Sequence, residues 1–163
     1  MRTKGILGLL ISIALVFSLS FAQPVNAASA EEEALQVATS FIKAFNDCDL
    51  GLLSSIWWHS PKASEIAPTT GYPFVNQGWE GIEKWWKSTF EYPIGTIILT
   101  LHNPQAVMLD NNIAVVTGYE NVIVNPPAVK EQSITQVRTT LVVQKIDGKW
   151  LIVHHHSSNF PLE

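Results

Sequence analysis

Residues 136–158 read QVRTTLVVQKIDGKWLIVHHHSS, and this stretch decides the fold. Two runs rich in β-branched residues flank Asp147-Gly148, a dipeptide that favours a two-residue turn between antiparallel strands. A turn of this length sets the register, so Ile146 is expected opposite Lys149, and the pairs beyond them follow in step. The stretch therefore predicts a closing β-hairpin.

The predicted register distributes the hairpin's side chains between the two faces of the sheet. Because side chains alternate along a strand, Thr139 and Leu141 are expected on the same face as His154 and His156. His155 is expected on the opposite face, which is the outer or dimer surface. Two imidazoles on one face at the end of a strand indicate a polar pocket floor, so we expect His154 and His156 to face a pocket.

The N-terminal segment is typical of an export signal. A short basic head precedes an uncharged apolar run over residues 5–22, and Val25-Asn26-Ala27 supplies the small residues that a signal peptidase recognises. We expect residues 1–27 to form a secretory signal, with a cut after Ala22 as the second choice, which leaves residues 28–163 as one periplasmic or secreted domain. The alternative is an uncleaved membrane anchor, since the run is about long enough to span a bilayer.

Charge and cysteine content narrow the function classes. The chain has 10 Lys and Arg against 14 Asp and Glu, and this balance argues against nucleic-acid partners or a membrane surface, which need clustered basic residues. The single Cys48 forms no internal disulfide. Its neighbours Asp47 and Asp49 offer no cation to activate the thiol, so we expect Cys48 to be structural.

Hydrophobic periodicity predicts helices first and strands afterwards. Apolar residues recur at helical spacing after a capping box formed by Ser29 and Glu32, and from Thr96 onward the period is two. This order is typical of an α+β fold with helices packed on one face of an antiparallel sheet. The predicted elements are helices 30–46, 50–56 and 80–90, a short strand at 57–60, strands 96–109 (bent at Asn103-Pro104) and 113–124, and the closing hairpin.

The end of the chain resembles a known superfamily. Asp147-Gly148-Lys149-Trp150, then Val153-His154-His155-His156 and Ser158, with TIIL at 96–99, are similar to the SnoaL-like and calcium/calmodulin-dependent kinase II association-domain group of the nuclear transport factor 2-like superfamily. The likeness covers roughly residues 31–160. It implies a cone-shaped, cystatin-like roll, in which a curved antiparallel sheet wraps around the long N-terminal helix with two further helices. It also implies a pocket inside the cone and pairing through the sheet as homodimers or larger rings.

The chain departs from its better-known relatives where their chemistry lies. Members similar to steroid isomerases carry a carboxylate base in the pocket, but the expected inward positions over residues 96–158 offer no Asp for that role. The association domains place arginines where Tyr119 and Leu141 stand, and a histidine near Trp85. The resemblance therefore implies neither an acid-binding pocket nor an isomerase-like base.

The expected pocket combines a polar floor with aromatic walls. A histidine there can carry protons near neutral pH, so His154 and His156 are candidate catalytic groups, with Tyr119 as a hydrogen-bond donor. Tryptophans near the third helix supply apolar surface for a ring-bearing ligand. The residues expected to line the pocket are Trp58, Trp85, Trp86, Tyr119, Thr139, Leu141, His154 and His156.

A metal site is not expected. Residues two apart on a strand lie about 7 Å from each other, which is long for His154 and His156 to share one ion. Zinc takes three or four ligands, and the sequence places no third ligand nearby. His59 is a candidate, but only the tertiary structure can locate it. We therefore predict neither a metal nor a cofactor. Arg138 and Glu120 are expected to pair on the outer face or dimer interface.

These observations predict an exported, single-domain protein that forms a homodimer and binds a small apolar or aromatic molecule. One alternative is an enzyme of the isomerase, cyclase or dehydratase kind that uses a pocket histidine. Another is a homo-oligomeric assembly or interaction module with an incidental pocket. The identity of the ligand, the size of the oligomer and the choice between binding and catalysis stay open at this point.

Overall fold

The computed structural model describes residues 28–68, 73–91, 95–125 and 130–160. The expected export signal, residues 1–27, lies outside the described residues and stays a prediction. Within the described residues, no helix has the length and apolar character needed to cross a bilayer. The elements are α1 (Ala30–Asn46), α2 (Leu50–Ile56), β1 (Ser64–Pro68), β2 (Pro73–Gln77), α3 (Trp79–Phe90), β3 (Ile97–Asp110), β4 (Ile113–Val124), β5 (Ser133–Ile146) and β6 (Lys149–Asn159).

The described strands form one curved, open sheet in the order β2-β1-β6-β5-β4-β3. Strands β3 to β6 make the expected antiparallel meander, and the helices cover one face, so the predicted α+β cone is confirmed. The sheet is mixed, because β1 pairs with β6 in parallel. The expected strand at residues 57–60 is wrong, since only Trp57 makes a single bridge, to Ile152.

Side-chain hydrogen bonds stabilise both ends of helix α1. The capping box is present: the Ser29 amide donates to Glu32 Oε2 at 2.7 Å, and the Glu32 amide donates to Ser29 Oγ at 3.2 Å. At the other end, Asn46 Nδ2 donates to the Leu99 carbonyl at 2.9 Å, and the Leu99 amide donates to Asn46 Oδ1 at 2.8 Å. These two bonds tie the end of α1 to β3.

The face of the sheet that packs against the helices is called the inner face here, and the opposite one the outer face. The buried stripe of α1, which includes Phe41 and Phe45, lies over the inner face. Each buried apolar side chain of this kind contributes about 1.5–3 kcal/mol relative to full exposure. The inner-face core residues are Leu99, Ala114, Val116, Leu141, Val143 and Ile152.

The closing hairpin has the predicted turn and the predicted first pairs. Asp147 and Gly148 have φ values of 50° and 80°, both in the left-handed region that a two-residue hairpin turn of this kind requires. Pairing starts with Ile146 opposite Lys149 and continues to Val143 opposite Ile152. This part of the register is confirmed.

Beyond Ile152 the predicted register is wrong. The next pair joins Val142 to His154, so Val153 is an extra residue without an opposite partner, a β-bulge. One extra residue reverses the alternation of all side chains that follow. His155 is therefore buried on the inner face, with 3% of its surface exposed, while His154 and His156 lie on the outer face. The predicted facing of these three histidines is corrected accordingly.

The expected ion pair between Arg138 and Glu120 is also wrong. Arg138 lies opposite Tyr119, not Glu120, and adjacent strand residues point to opposite faces. Glu120 is buried on the inner face. On the outer face, the Arg138 guanidinium donates to the Asn159 carbonyl at 3.2 Å and lies over the ring of Phe160.

Candidate functional site

A cavity of about 170 Å³ lies between the inner face of the sheet and helices α1 and α3. Its walls are mostly apolar and aromatic, and its titratable groups, Glu120 and His155, lie on the sheet side. It is called the inner cavity below. Its lining residues are Phe41, Phe45, Ala67, Trp85, Trp86, Thr89, Ile97, Leu99, Glu120, Val122, His155 and Ser157.

His155 is the buried imidazole of this cavity, and both of its ring nitrogens have partners. Nδ1 lies 3.2 Å from Oε1 of Glu65, and Nε2 lies 3.2 Å from Oγ1 of Thr139. The ring of Phe41 packs against it with the centroids 4.8 Å apart. These contacts hold the imidazole in one orientation.

Glu65 reaches His155 because β1 runs parallel to β6 and the two residues are direct partners. The carboxylate has no exposed surface. Asn76, which is opposite Glu65 on β2, donates from Nδ2 to Oε2 of Glu65 at 3.3 Å. The β1–β2 hairpin therefore serves as a platform that presents a fixed carboxylate to the imidazole.

Glu120 is the second buried carboxyl group, and it lines the inner cavity with 3% of its surface exposed. Burial raises the pKa of Glu120 above its ordinary value, while the charge of His155 and a hydrogen bond from Thr139 oppose this rise. Desolvation always disfavours the ionised form of a carboxyl group. Glu120 is thus poised to hold a proton over a wider pH range than an exposed Glu.

Together, Glu65, His155, Thr139 and Glu120 form a chain of polar groups, called the relay below. Thr139 Oγ1 lies within hydrogen-bond distance of His155, which in turn contacts Glu65, and both Thr139 and His155 act on the pKa of Glu120. A proton can move along such a chain from one carboxyl group towards the other when the donor and the acceptor of each hydrogen bond exchange roles. Buried titratable groups with specific partners, gathered in a cleft, are a hallmark of functional sites.

The residues predicted for the pocket are divided by the structure into two groups. Those on the helix side of the sheet are Trp85 and Trp86, which line the inner cavity, Thr139, which belongs to the relay, and Leu141, which is buried in the core. Trp58 packs against the core without lining the cavity.

The other predicted residues lie on the outer face, because of the bulge in β6 and the facing of β4. Tyr119 is 45% exposed and stacks on Phe160, so it does not line the inner cavity. His154 Nδ1 lies 2.8 Å from Ser64 Oγ, and burial followed by the charges of His155 and His156 lowers the pKa of His154.

His59 lies outside the inner cavity. Its ring stacks on Trp79 at 4.4 Å, and its Nε2 lies 2.8 Å from the Ser54 carbonyl oxygen. Among the described residues, no group of three or more His, Cys, Asp or Glu side chains is arranged to hold a metal ion.

Sequence reasoning missed Glu65, Glu120 and the inward facing of His155. For Glu120 a signal exists, because it occupies the same alternating row of β4 as the buried Ala114 and Val116. For Glu65 no comparable signal exists, since the five-residue strand SEIAP is too short to show a period.

A larger groove of about 670 Å³ lies near the bend of β3, on the outer face. Tyr119 and Arg138 line it, and both are exposed and already in contact with Phe160. The relay residues, in contrast, are buried, with at most 4% of their surface exposed, and electrostatic interactions are much stronger there than in water. The inner cavity is therefore the candidate functional site.

Known proteins resemble this chain in sequence and in fold. A family model described as SnoaL-like domain matches residues 34–163. Among curated proteins, no sequence matches this chain.

Solved structures with the same fold include a proposed dehydratase of the NTF2-like family from Streptomyces avermitilis, with a TM-score of 0.69 and 21% identity over 80% of this chain and 97% of that one. A proposed calcium/calmodulin-dependent protein kinase II association domain from Xanthomonas campestris has a TM-score of 0.67 and 23% identity, covering 84% and 91%. The CaMKII hub of S. rosetta has a TM-score of 0.68 and 20% identity, covering 82% and 99%. At these identities the likeness concerns the fold.

The raised pKa of Glu120 generates a prediction about stability and pH. Below the ordinary Glu value of 4.5 both the folded and the unfolded chain hold the proton, and above it the unfolded chain releases it first. The native state therefore loses stability relative to the unfolded state as the pH rises from that value through the folded pKa. Glu120→Gln, which stays neutral, is expected to have the same free energy of unfolding as the wild type at about pH 4. At about pH 7 its free energy of unfolding is expected to be higher than that of the wild type.

Denaturant unfolding, followed by tryptophan fluorescence, measures this difference in stability. Glu33→Gln is the control, because its effect on stability is expected to depend on pH in the opposite direction. Hydrogen bonds from Lys145 and then Trp150 lower the pKa of Glu33, so its replacement is expected to cost stability near neutral pH and to matter less in acid. An unchanged pH profile in Glu120→Gln would contradict the assignment.

Proposed function

This chain belongs to the SnoaL-like domain family, and we propose that the protein binds a small, largely apolar molecule in the inner cavity. The observation that carries the proposal is the relay, which lies at the polar end of an otherwise apolar and aromatic cavity. Ligand sites in proteins typically combine apolar walls with a few placed polar groups. The inner cavity has this composition.

Packing alone gives no reason for the relay. Burying charged or titratable groups costs free energy, and apolar residues of similar volume are often as stable or more so. Glu65 and Glu120 are nonetheless both buried beside His155. Residues that are costly to bury and face a cavity are best explained by what they do to its occupant.

Filling the cavity without touching the relay tests the binding proposal. Ala67 is buried and lines the cavity, so Ala67→Leu is expected to occupy the ligand's volume and to abolish binding of a probe such as toluene. Binding is measured by titration of the indole N–H signals in NMR spectra. Ala106→Leu, at a half-buried β3 position outside the cavity lining, is the matched control and is expected to bind as the wild type does. Equal toluene binding by Ala67→Leu would refute the proposal.

A second candidate function is acid–base catalysis of the isomerase or dehydratase kind. It is favoured by one observation: the cavity-lining Glu120 neighbours Thr139 and His155, and His155 contacts Glu65, so that a proton taken from a ligand can be shared among these groups. A general base works best when its pKa lies near the operating pH, and burial moves that of Glu120 upward.

Exchange of the α-protons of cyclohexanone in D₂O tests this second function. Ionised Glu120 would accept a proton from the α-carbon as the C–H bond breaks, the electron pair would move onto the carbonyl oxygen, and a solvent-derived deuteron would return to carbon. We expect the wild type to accelerate exchange, measured by mass spectrometry, and Glu120→Gln to lose about 10²–10⁴-fold of it.

Two comparisons make this experiment decisive. His155→Gln keeps Glu120 but interrupts the relay, so exchange is expected to fall while cyclohexanone binding survives. Glu80→Gln, an exposed carboxylate on α3 outside the inner cavity, is expected to leave exchange unchanged. Exchange that persists in Glu120→Gln would show that Glu120 is not the base, and an absence of acceleration by the wild type would assign the protein to binding alone.

Self-association through the outer face is the third part of the proposal. A row of side chains crosses this face from Val107 to Val115, Val142 and His154, each opposite the next on the neighbouring strand. Val107 is 57% exposed. The three valines of this row support pairing with a second copy of the chain, since exposed apolar patches mark interaction sites.

Val107→Asp places a charge in this row and is expected to shift the protein to the monomer. Light scattering after size-exclusion chromatography measures the mass. Val107→Ile, which keeps the apolar β-branched character, is the control and is expected to retain the assembly. If Val107→Asp has the same mass as the wild type, the outer-face interface is wrong.

A further inference from the structure

We propose that the outer face carries a separate binding site, and that this site takes an acidic oligosaccharide, a short chain of sugar rings that bear carboxylate groups. The site combines the groove of about 670 Å³ near the bend of β3 with a neighbouring groove of about 400 Å³. The two grooves share Asn103 and Tyr119, so they form one continuous surface, which is called the outer groove below. The proposal is independent of the inner cavity, which lies on the opposite face of the sheet.

The bend of β3 builds one wall of the outer groove. The register of β3 against β4 shifts between His102 and Gln105, and Asn103 at this point has a φ of 49°, in the left-handed region. The bend packs closely on β4, because a Cβ added at Gly118 would meet Leu101 Cδ1 at 3.0 Å and the His102 carbonyl oxygen at 3.1 Å. A glycine is therefore needed for this approach, and the bulge redirects the neighbouring side chains, as bulges beside binding sites do.

The size of the outer groove suits a ligand of more than one ring. Pockets that bind drug-sized ligands measure about 300–1,000 Å³, and the larger of the two grooves alone falls in this range. Residues of three neighbouring strands, β3, β4 and β5, line it. An extended ligand can therefore lie across these strands on the face of the sheet.

The charge of the lining selects an anion. Among the described residues that line the outer groove, Arg138 carries the only permanent charge and no Asp or Glu is present, although the whole chain has a formal net charge of −4. Arg138 is held in place, since it donates to the Asn159 carbonyl at 3.2 Å and lies 5.2 Å from the centroid of the Phe160 ring. Its planar fork has further N–H donors for a carboxylate. A nucleic acid does not fit, because its many phosphates need several clustered cations.

A row of hydrogen-bonded side chains crosses the outer groove and suits the hydroxyl groups of a sugar. Asn121 Nδ2 lies 2.9 Å from His102 Nε2, and Gln136 Nε2 donates to Asn121 Oδ1 at 3.1 Å. These bonds restrain the side chains before a ligand arrives, so less conformational entropy is lost on binding. Amide groups donate and accept hydrogen bonds, and so do the hydroxyl groups of a sugar.

Two aromatic rings supply the apolar part of the outer groove. Tyr119 and Phe160 stack with their centroids 5.7 Å apart, and they are 45% and 38% exposed. The faces of a sugar ring carry C–H groups, which pack against the electron-rich face of an aromatic ring. An acidic peptide lacks such a face, and extended peptides typically add to a free strand edge. The outer groove lies on the face of the sheet, so an oligosaccharide is favoured.

Three ligands with three units each test the proposal: trigalacturonate, the neutral maltotriose, and triglutamate as an acidic peptide. Calorimetric titration at low salt measures the affinities, since salt screens exposed charges. The wild type is expected to bind maltotriose about fivefold more weakly than trigalacturonate, because maltotriose makes no ion pair with Arg138. Triglutamate is expected not to bind measurably. In NMR spectra, trigalacturonate is expected to shift the side-chain amide signals of Asn121 and Gln136.

Two variants assign the contributions of charge and ring. Arg138→Gln is expected to bind trigalacturonate and maltotriose equally, and Tyr119→Ala to bind both about fivefold more weakly than the wild type. Both positions are exposed, so the variants are expected to fold. Lys149→Gln is the matched control, because it removes an exposed positive charge from β6 outside the outer groove, and it is expected to bind as the wild type does.

Each contrary result overturns a stated part of the proposal. If trigalacturonate does not bind to the wild type, the outer groove is not a ligand site. If maltotriose binds as tightly, or if the preference survives in Arg138→Gln, the acidic class is wrong; equal binding of triglutamate rules out the sugar. Val107→Asp is expected to keep the affinity, because Val107 does not line the outer groove. Binding by that variant alone would mean that a second copy covers the groove, and would also refute the proposal. Toluene binding in the inner cavity is measured separately, so the two sites fail or stand independently.

Discussion

The β-bulge at Val153 in β6 determines which imidazole lies inside the protein. Ile152 is part of the core, and without an extra residue the alternation along β6 would place His154 next on the inner face. The bulge lets the strand bury Ile152 and then His155. At the same point the Ile152 carbonyl accepts a hydrogen bond from the Trp58 amide at 3.0 Å, so the irregular strand is fixed by the segment that follows α2.

The parallel pairing of β1 with β6 depends on the same part of the strand. Beyond the bulge, β6 pairs with β1, and this brings Glu65 directly beside His155. A buried carboxylate without partners would cost several kcal/mol, but Glu65 has the imidazole on one oxygen and Asn76 on the other. The β1–β2 hairpin is thus more than an extension of the sheet, because it makes the burial of His155 compatible with a stable core.

Local patterns were sufficient to predict most of the architecture. Helix α1, the Asp147-Gly148 turn and the bend of β3 near Asn103 follow from capping, turn and proline rules that act over a few residues. The site was predicted less well, since it depends on a bulge that no local signal marks and on a short parallel strand whose partner lies 90 residues away. Trp85 and Trp86 were the exceptions, because an aromatic pair on a helix next to the sheet needs no register to be placed.

The polar groups in and around the inner cavity differ in whether the protein itself supplies their hydrogen-bond partners. His155 and Glu65 satisfy one another with Thr139 and Asn76, so they are complete without an occupant. Trp86 Nε1 has no such partner among the described residues. The sheet therefore supplies the partners of this polar network by itself, and an occupant of the cavity would meet side chains that are already held in place.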